Sequence, residues 1–407
     1  MKAKQFIISV FVLLTVSTAW AKVKINEKNF PDANFRAWLL KHDYGKDGVL
    51  TDEEIANVKE IYVVFDSINS LKGIEYFTAL TELNCYHNQL TTLDVSGCTA
   101  LRILHCDHNQ LTALDVSGCT ALDTLHCDHN QLTALDVSGR TSLTDLWCYH
   151  NPLKTLNASG CTALTELNCY HNQLTTLDVS GCTSLTDLWC VHNPLKTLNA
   201  SGCTALTELD FWFGLDQLTE LDVSGCTALT ELFCLDNPLK TLNVSGCTAL
   251  TELCCAGGQL TTLDVSECTA LTRLECGGNK LTTLDVSQNI KLDTLWCVEN
   301  QLTVLDVSKN TMLKELNCSN NRLEALDLSK NTMLKDLYYS GNFIWDDRMD
   351  ALIKCLPTVS GGIMRAIEKN YRNEGPGMTP AQVEAAKAKG WTPYYHVWQE
   401  YAGEEKK

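Results

Sequence analysis

The sequence predicts a mainly β protein, a solenoid of stacked 21-residue coils with a small helical cap at the N-terminus and a mixed cap at the C-terminus. Leucines recur every 21 residues from Leu83 to Leu209 and again from Leu232 to Leu337, and one step of 23 residues separates the two runs. Apolar and polar residues alternate around each of these leucines, which is the period of a β-strand. Because a single coil cannot bury its own leucines, the coils must stack and share a continuous core.

The first residues have the order of an export signal. Lys2 and Lys4 precede an apolar run over residues 6–16, and small residues follow up to Ala21. A charged region, a short apolar region and a small-residue cleavage site are typical of a signal peptide, and the run is too short to span a bilayer. We therefore expect residues 1–21 to be removed and the protein to be exported to the periplasm, the cell surface or the medium, without membrane insertion.

Residues 22–79 are predicted to form the N-terminal cap, with two short helices on either side of a loop. Compared with the EF-hand calcium loop, Asp43, Asp47 and Glu54 stand at positions 1, 5 and 12. The backbone carbonyl of Val49 stands where that loop supplies a further oxygen. No cofactor is otherwise required by the sequence, and calcium at residues 43–54 is the one cofactor prediction.

The same loop has a second interpretation that needs no metal. Gly45 occupies the third position of the loop and removes one oxygen ligand, so only weak calcium binding, on the order of millimolar, is expected. Thr51 and Glu54 also have the spacing of a capping box, which would start the following helix by itself. The sequence leaves calcium binding and helix capping open.

Residues 80–342 carry the repeats. Each unit reads L-T-x-L-x-C-x-x-N-x-L and then L-T-x-L-D-V-S-x-C-T-x-L. These residues resemble the leucine-rich repeat family, whose motif occurs here twice within 21 residues. Phe30-Pro31-Asp32 and the stretch from Leu71 to Glu75 resemble the lead-in of internalin-like secreted bacterial proteins. The resemblance implies a parallel β-solenoid and protein partners, such as host surface proteins.

Cysteine is frequent, at 21 of 407 residues, and it falls into two columns of the repeat. In the inward L-x-C position, Phe211 and Tyr339 replace cysteine in two coils. This position therefore requires a residue that fills apolar space and not a cysteine as such. The second column changes to asparagine at Asn289 and later coils, and Arg140 interrupts it, which argues against obligatory pairing. We therefore expect buried free thiols. Cys254 is the exception, because it occupies an outward position beside Cys255 and is expected to be an exposed thiol that could pair or oxidise. A disulfide ladder is the alternative in an exported protein.

The outward positions differ between the two halves of the repeat. The L-D-V half has a nearly uniform aspartate column, for which hydrogen bonds within turns are expected. The outward side of the L-x-C strands varies and carries aromatic and histidine residues, which are typical of a binding surface, although drift among exposed strand positions is the alternative. The predicted binding face consists of Tyr86, His105, His126, Trp147, Tyr149, Tyr170, Trp189, Trp212 and Phe233. One exposed patch is predicted for five of them, Trp147, Tyr149, Tyr170, Trp189 and Trp212.

One segment has residue types that suit zinc. His105-Cys106-Asp107-His108 recurs unchanged at residues 126–129, in the next coil. The outward histidines and aspartates, His105, Asp107, His126 and Asp128, combine imidazole with carboxylate. Residues i and i+2 of a strand are roughly 7 Å apart, which is wide for one ion, so a duplicated exposed coil is the favoured interpretation.

Residues 343–407 are predicted to form the C-terminal cap. Helices are expected from Leu352 to Leu356 and from Thr379 to Lys389, with Gly390 after the second.

Composition and motifs restrict the function. Acidic residues outnumber basic ones 49 to 32, so nucleic acid and anionic membrane surfaces are poor partners. No nucleophile elbow, zinc-protease motif, phosphate loop or C-x-x-C motif is present, and no coil has a distinctive set of reactive residues, so an enzyme is not expected. The sequence predicts an exported protein that binds a protein or a polysaccharide through its variable face. A non-catalytic envelope or spacer protein is the alternative, and an enzyme is the third.

Overall fold

The computed structural model describes residues 22–211, 217–367, 377–395 and 399–400. They form a parallel β-solenoid of about 13 coils, as predicted. The predicted signal peptide, residues 1–21, and Trp212 lie outside the described residues. None of the helices in the described part of the chain has the length and apolar character that crossing a membrane requires.

The N-terminal cap contains the two predicted helices. Its elements are β1 (Lys22–Lys24), α1 (Ala33–Lys41), β2 (Val49–Thr51), α2 (Asp52–Asn57) and a 3-10 turn (Ile74–Tyr76), and β1 pairs with β2 in the antiparallel sense. Asp32 caps α1 by accepting a hydrogen bond from the backbone N–H of Phe35 at 2.9 Å. Phe35 and Leu39 pack into the core, so the cap covers the apolar end of the solenoid.

The L-x-C half of each coil supplies a three-residue strand to a parallel sheet. The central residue is the buried anchor leucine, and its two neighbours turn outward. The strands are β3 (Glu60–Tyr62), β4 (Glu82–Asn84), β5 (Ile103–His105), β6 (Thr124–His126), β8 (Asp145–Trp147), β10 (Glu166–Asn168) and β12 (Asp187–Trp189), adjacent in that order. Ile61 in β3 pairs with Leu83, so the solenoid begins inside the predicted cap rather than at residue 80. An isoleucine at a spacing of 22 hides this strand from a search for leucines every 21 residues.

The L-D-V half forms a second parallel sheet. Its strands are β7 (Ala134–Asp136), β9 (Thr155–Asn157), β11 (Thr176–Asp178), β13 (Thr197–Asn199), β15 (Glu220–Asp222) and β17 (Thr241–Asn243). The outward carboxylates accept hydrogen bonds from a backbone N–H two residues later, as in the 3.0 Å contact of Asp136 with Ser138. The uniform aspartate column therefore has the predicted turn role.

The first sheet is interrupted after β12. The strands of the L-x-C half continue in a third sheet, as β14 (Glu208–Asp210), β16 (Glu231–Phe233), β18 (Glu252–Cys254), β19 (Arg273–Glu275), β20 (Thr294–Trp296), β21 (Glu315–Asn317) and β22 (Asp336–Tyr338). Three strands of the C-terminal cap complete this sheet, β23 (Gly362–Ile367), β24 (Trp391–Tyr395) and β25 (Gln399–Glu400). Within the described ranges, which omit 212–216, no backbone ladder joins β12 to β14. Leu188 of β12 is only half-buried, whereas Leu167 of β10 is fully buried. The break lies between the coils of Leu188 and Leu209, directly before the 23-residue step from Leu209 to Leu232.

The C-terminal cap adds strands to the solenoid as well as helices. Strands β23 and β24 continue the parallel ladder beyond β22, and α3 (Asp347–Cys355) and α4 (Pro380–Ala388) connect them. Thr379 and Gln382 form a capping box at the start of α4. Gly390 follows this helix with φ of 84°, a left-handed conformation that glycine adopts without a steric penalty.

The 21 cysteines form no disulfide bond in the structure, and all except the half-buried Cys355 are buried. Phe211 and Tyr339, which replace the inward L-x-C cysteine in two coils, are buried as well. The second column also donates hydrogen bonds: the thiol of Cys161 points at the carbonyl of Val137 at 3.1 Å. In a later coil the side-chain amide of Asn289 donates to the carbonyl of Val265 at 2.9 Å. Asparagine can replace cysteine in the last coils of this column because both side chains supply a buried donor.

Cys254 departs from the sequence prediction. Its outward position on β18 predicted an exposed thiol that could pair or oxidise, but the residue is only 3% exposed. It lies in register between Phe233 and Glu275, whose larger side chains cover it. Burial raises the pKa of this thiol to about 12, with smaller contributions from the nearby carboxylates.

Candidate functional site

The predicted binding face lies on the outward side of the first sheet, where its rings stack between coils. Parallel in-register pairing places His105 beside His126 and His126 beside Trp147. The ring centroids are 4.4 Å apart in the first pair and 4.2 Å apart in the second, with almost parallel planes. The indole N–H of Trp147 donates to Glu166 at 2.9 Å. The faces that meet between neighbouring rings are covered, so these half-buried rings present mainly their edges to solvent.

A column of six histidines runs beside this stack, one after each L-x-C strand of the first sheet from β4 to β12. Its members have left-handed backbone conformations with φ between 48° and 57°, and they are His87, His108, His129, His150, His171 and His192. Adjacent rings in the column are 4.1 to 5.9 Å apart. Tyr86, Tyr149 and Tyr170 of the predicted face pack edge-on against this column. Histidines and tyrosines therefore form one continuous surface.

Trp189 lies at the end of this surface, where the sheet is interrupted. Its side chain is 49% exposed, and Asn168 separates it from Trp147 in the register. A cavity of about 360 Å³ opens beside it, lined by residues of β12 and β14 that include Asp187 and Glu208. The structure thus places Trp147, Tyr149, Tyr170 and Trp189 on one face, and none of the four is buried. Trp212 lies outside the described residues, and Phe233 is half-buried on β16, beyond the break.

One acid–imidazole cluster stands out on this surface. The ligand atoms of His108, Asp128 and His129 all lie within 4.8 Å of one another. Of the four residues suggested by the sequence, His105, Asp107, His126 and Asp128, only Asp128 belongs to the cluster found among the described residues. The left-handed turn after each strand brings His108 and His129 to Asp128.

The electrostatics of this cluster follow from burial. Asp128 is only 2% exposed, and burial, with the charge of Asp107 adding to it, raises the pKa of its carboxyl to about 6. A hydrogen bond from the side chain of Tyr149 lowers the pKa of the same carboxyl. Burial lowers the pKa of His129, and the neighbouring histidines lower it further. The carboxyl and the imidazoles are thus held close together in a poorly solvated place.

The predicted calcium loop carries a capping box. The backbone N–H of Thr51 donates to Glu54 at 2.8 Å, and the N–H of Glu54 donates to the Thr51 hydroxyl at 3.2 Å. Asp43 forms a hydrogen-bonded ion pair with Lys46, which lowers the pKa of the Asp43 carboxyl. The carboxylate of Asp47 accepts a hydrogen bond from the backbone N–H of Val49 at 3.0 Å. Among the described residues, these three carboxylates do not converge as closely as the His108 cluster does. Calcium binding here stays a prediction.

Sequence reasoning missed the column of buried asparagines in the motif. The side-chain oxygen of each asparagine accepts a hydrogen bond from a backbone N–H of the preceding coil, and its amide donates to backbone carbonyls of two coils. The members of the column include Asn88, Asn109, Asn130, Asn151, Asn172, Asn193, Asn279, Asn300, Asn321 and Asn342. It also missed the left-handed geometry of the histidine column. The sequence does contain a signal of this backbone geometry. Gly257, Gly278 and Gly341 replace the histidine in later coils, and glycine is the residue that adopts a left-handed conformation most readily.

The family described as Leucine Rich repeats (2 copies) matches residues 78–118. The functional domain of InlJ from Listeria monocytogenes, which is described as including a cysteine ladder, is 31% identical over 92% of this chain and 81% of its own, with a TM-score of 0.48. The internalin InlF of the same species is 24% identical over 88% of this chain and 100% of its own, with a TM-score of 0.42. A leucine-rich repeat protein of Leptospira interrogans is 23% identical over 78% and 97%, with a TM-score of 0.39. No curated protein matches the sequence.

Proposed function

Because this chain belongs to the leucine-rich repeat family, whose solenoids commonly mediate protein binding, we propose that it is an exported protein that binds a protein partner. The contact surface is the outward side of the first sheet, from Tyr86 to Trp189. The observation that carries the proposal is the continuous band of half-exposed aromatic and imidazole rings on that side. Such rings contribute large contact areas with little loss of conformational entropy, and they are enriched at protein interfaces.

The ring geometry favours a protein over a polysaccharide. A sugar stacks on an exposed ring face, whereas His105, His126 and Trp147 cover one another's faces and present their edges. Ring edges and imidazole nitrogens suit the mixed polar and apolar surface of a folded protein. Asp187 and Glu208 beside the cavity at Trp189 would favour lysine or arginine on the partner. Association is then expected to weaken as salt concentration rises.

Two other functions compete with this proposal. A spacer or envelope protein would use the solenoid only for its length, and its surface would tolerate substitution everywhere. Leucine-rich repeat solenoids are typically binding scaffolds rather than enzymes, and an enzyme remains the third alternative. Export rests on residues 1–21, and mass spectrometry of the secreted protein would show an N-terminus at Lys22 if the signal peptide is cleaved after Ala21.

Two matched tryptophans allow a direct test. Trp189 and Trp296 occupy the same position of the repeat, but Trp296 lies in the third sheet, where its indole N–H donates to Glu315 at 2.9 Å. The mature protein is screened against arrays of extracellular proteins and of glycans, and each ligand found is titrated by biolayer interferometry. We expect Trp189→Ala to weaken binding of a protein ligand at least tenfold and Trp296→Ala to leave it unchanged. A glycan ligand with the same dependence would contradict a protein partner, and equal effects of both variants would contradict the binding face.

A further inference from the structure

We propose that His108, Asp128 and His129 bind a divalent transition-metal cation of the zinc type, with one coordination position left open. Their ligand atoms lie within 4.8 Å of one another. Ligands of a tetrahedral zinc ion are about 3.4 Å apart when the bonds are about 2.1 Å long, so the widest separation has to shorten by at most about 1.4 Å to close the site. The two imidazoles stack at 4.1 Å, and rotation of one ring about its broad χ2 torsion would bring its nitrogen to the ion.

The backbone and a neighbouring hydroxyl hold these ligands in place. The N–H of His108 donates to the carbonyl of Asp128 at 3.0 Å, and the N–H of His129 donates to the carbonyl of Tyr149 at 3.0 Å. The carboxyl of Asp128 is buried and hydrogen-bonded to Tyr149. A second hydrogen-bonded layer that orients a carboxylate ligand is typical of metal sites. The three ligands are thus largely positioned before an ion arrives.

Only this part of the histidine column has the required carboxylate. The residue before the histidine is Asp107 or Asp128 in two coils, but it is Tyr86, Tyr149 or Tyr170 in their neighbours. Asp107 lies between His87 and His108, whose rings are 5.9 Å apart rather than 4.1 Å. The geometry therefore selects one position in a column of six similar histidines.

The donor set indicates the class of ion. Two imidazoles and one carboxylate suit zinc and neighbouring transition metals, whereas calcium and magnesium prefer oxygen ligands alone. Three protein ligands leave a fourth tetrahedral position for water or for a group of another molecule. This inference concerns the metal alone and does not depend on the proposed partner.

Zinc titration of the full chain tests the site. Isothermal titration calorimetry with zinc chloride, on protein pretreated with chelator, is expected to show one site. Asp128→Asn and His129→Gln should each weaken it at least tenfold. His171→Gln is the matched control, because His171 belongs to the same column and stacks on His150 at 4.7 Å, but it follows a tyrosine. It should leave the affinity unchanged, and circular dichroism should show that all variants are folded.

Three results would overturn the proposal. They are the absence of zinc binding, an equal loss in His171→Gln, and an unchanged affinity in Asp128→Asn. Cobalt provides a second readout, because the buried thiols nearby are themselves metal ligands. A cobalt complex with thiolate ligands absorbs strongly in the near ultraviolet through sulfur-to-metal charge transfer. The proposed site predicts only the visible bands of nitrogen and oxygen coordination, and a thiolate band would contradict it.

Discussion

Replacement of one buried asparagine should destabilise the solenoid more than the loss of any surface polar group. The side-chain oxygen of Asn300 accepts from the backbone N–H of Leu281 at 2.9 Å. Its amide donates to the carbonyls of Cys276 and Cys297 at 3.0 and 3.2 Å. Asn300→Ala removes these three hydrogen bonds, together with a longer one to the carbonyl of Val298 at 3.4 Å, and leaves backbone partners without them. At about 1 kcal/mol net for each bond, the variant should lose about 3 kcal/mol of unfolding free energy.

Urea unfolding followed by circular dichroism measures this loss. Asp264→Ala is the matched control, because Asp264 also accepts a backbone N–H, that of Ser266 at 2.9 Å, but on the exposed face of the repeat. Water replaces that contact, so its loss should be much smaller. Asn300→Asp keeps the acceptor but turns a buried charge toward two carbonyls, so it should be at least as damaging as alanine. If Asn300→Ala costs no more than Asp264→Ala, the asparagine column does not join the coils as described.

Three further predictions concern the thiols, the loop and the C-terminal cap. At pH 8 the folded protein should react slowly with a thiol reagent, because burial raises the pKa of thiols such as Cys254 to about 12 and keeps them protonated. The denatured protein, without added reductant, should react at most of its 21 thiols, and a count near one would indicate a disulfide ladder. Calorimetry with calcium should give weak heat that Asp47→Ala abolishes if the loop binds the ion, and silence from both proteins would leave it a helix cap. Gly390→Ala should destabilise the protein more than Gly361→Ala in urea, because both positions are left-handed but only the first places a Cβ 1.8 Å from the Val359 carbonyl oxygen. Equal losses would show that the cap is not packed there.

The stacked core could be predicted because it depends on local periodicity. Alternation around each anchor leucine assigns an inward direction to the following cysteine, and the structure buries both, as in Leu104 and Cys106. The ends of the solenoid were harder, because their strands replace the anchor leucine by Ile61 and Met364 at irregular spacings. A repeat search cannot detect a coil that keeps the shape of its neighbours but not their residues.

The candidate sites were only partly predictable, because they depend on contacts between coils. The sequence placed the aromatic residues on one face but not the stacking that turns Trp147 edge-on to solvent. It also suggested His105 as a zinc ligand, whereas the turn geometry places His108 beside Asp128. Distances between side chains in adjacent coils depend on register and backbone conformation, and a motif within one coil contains neither.

Residues that depart from the repeat indicate the functional positions of this solenoid better than residues that nearly all coils share. Side chains shared by nearly all coils, such as the buried asparagines and the outward aspartates, are occupied by hydrogen bonds within and between coils. The carboxylate of Asp128 and the exposed ring of Trp189 at the sheet break have no such shared structural role, and they lie on the same face three coils apart. The proposed metal binding and the proposed partner binding thus depend on different residues, each of which departs from the repeat. Asp128→Asn should affect the first and Trp189→Ala the second, so each proposal can fail without the other.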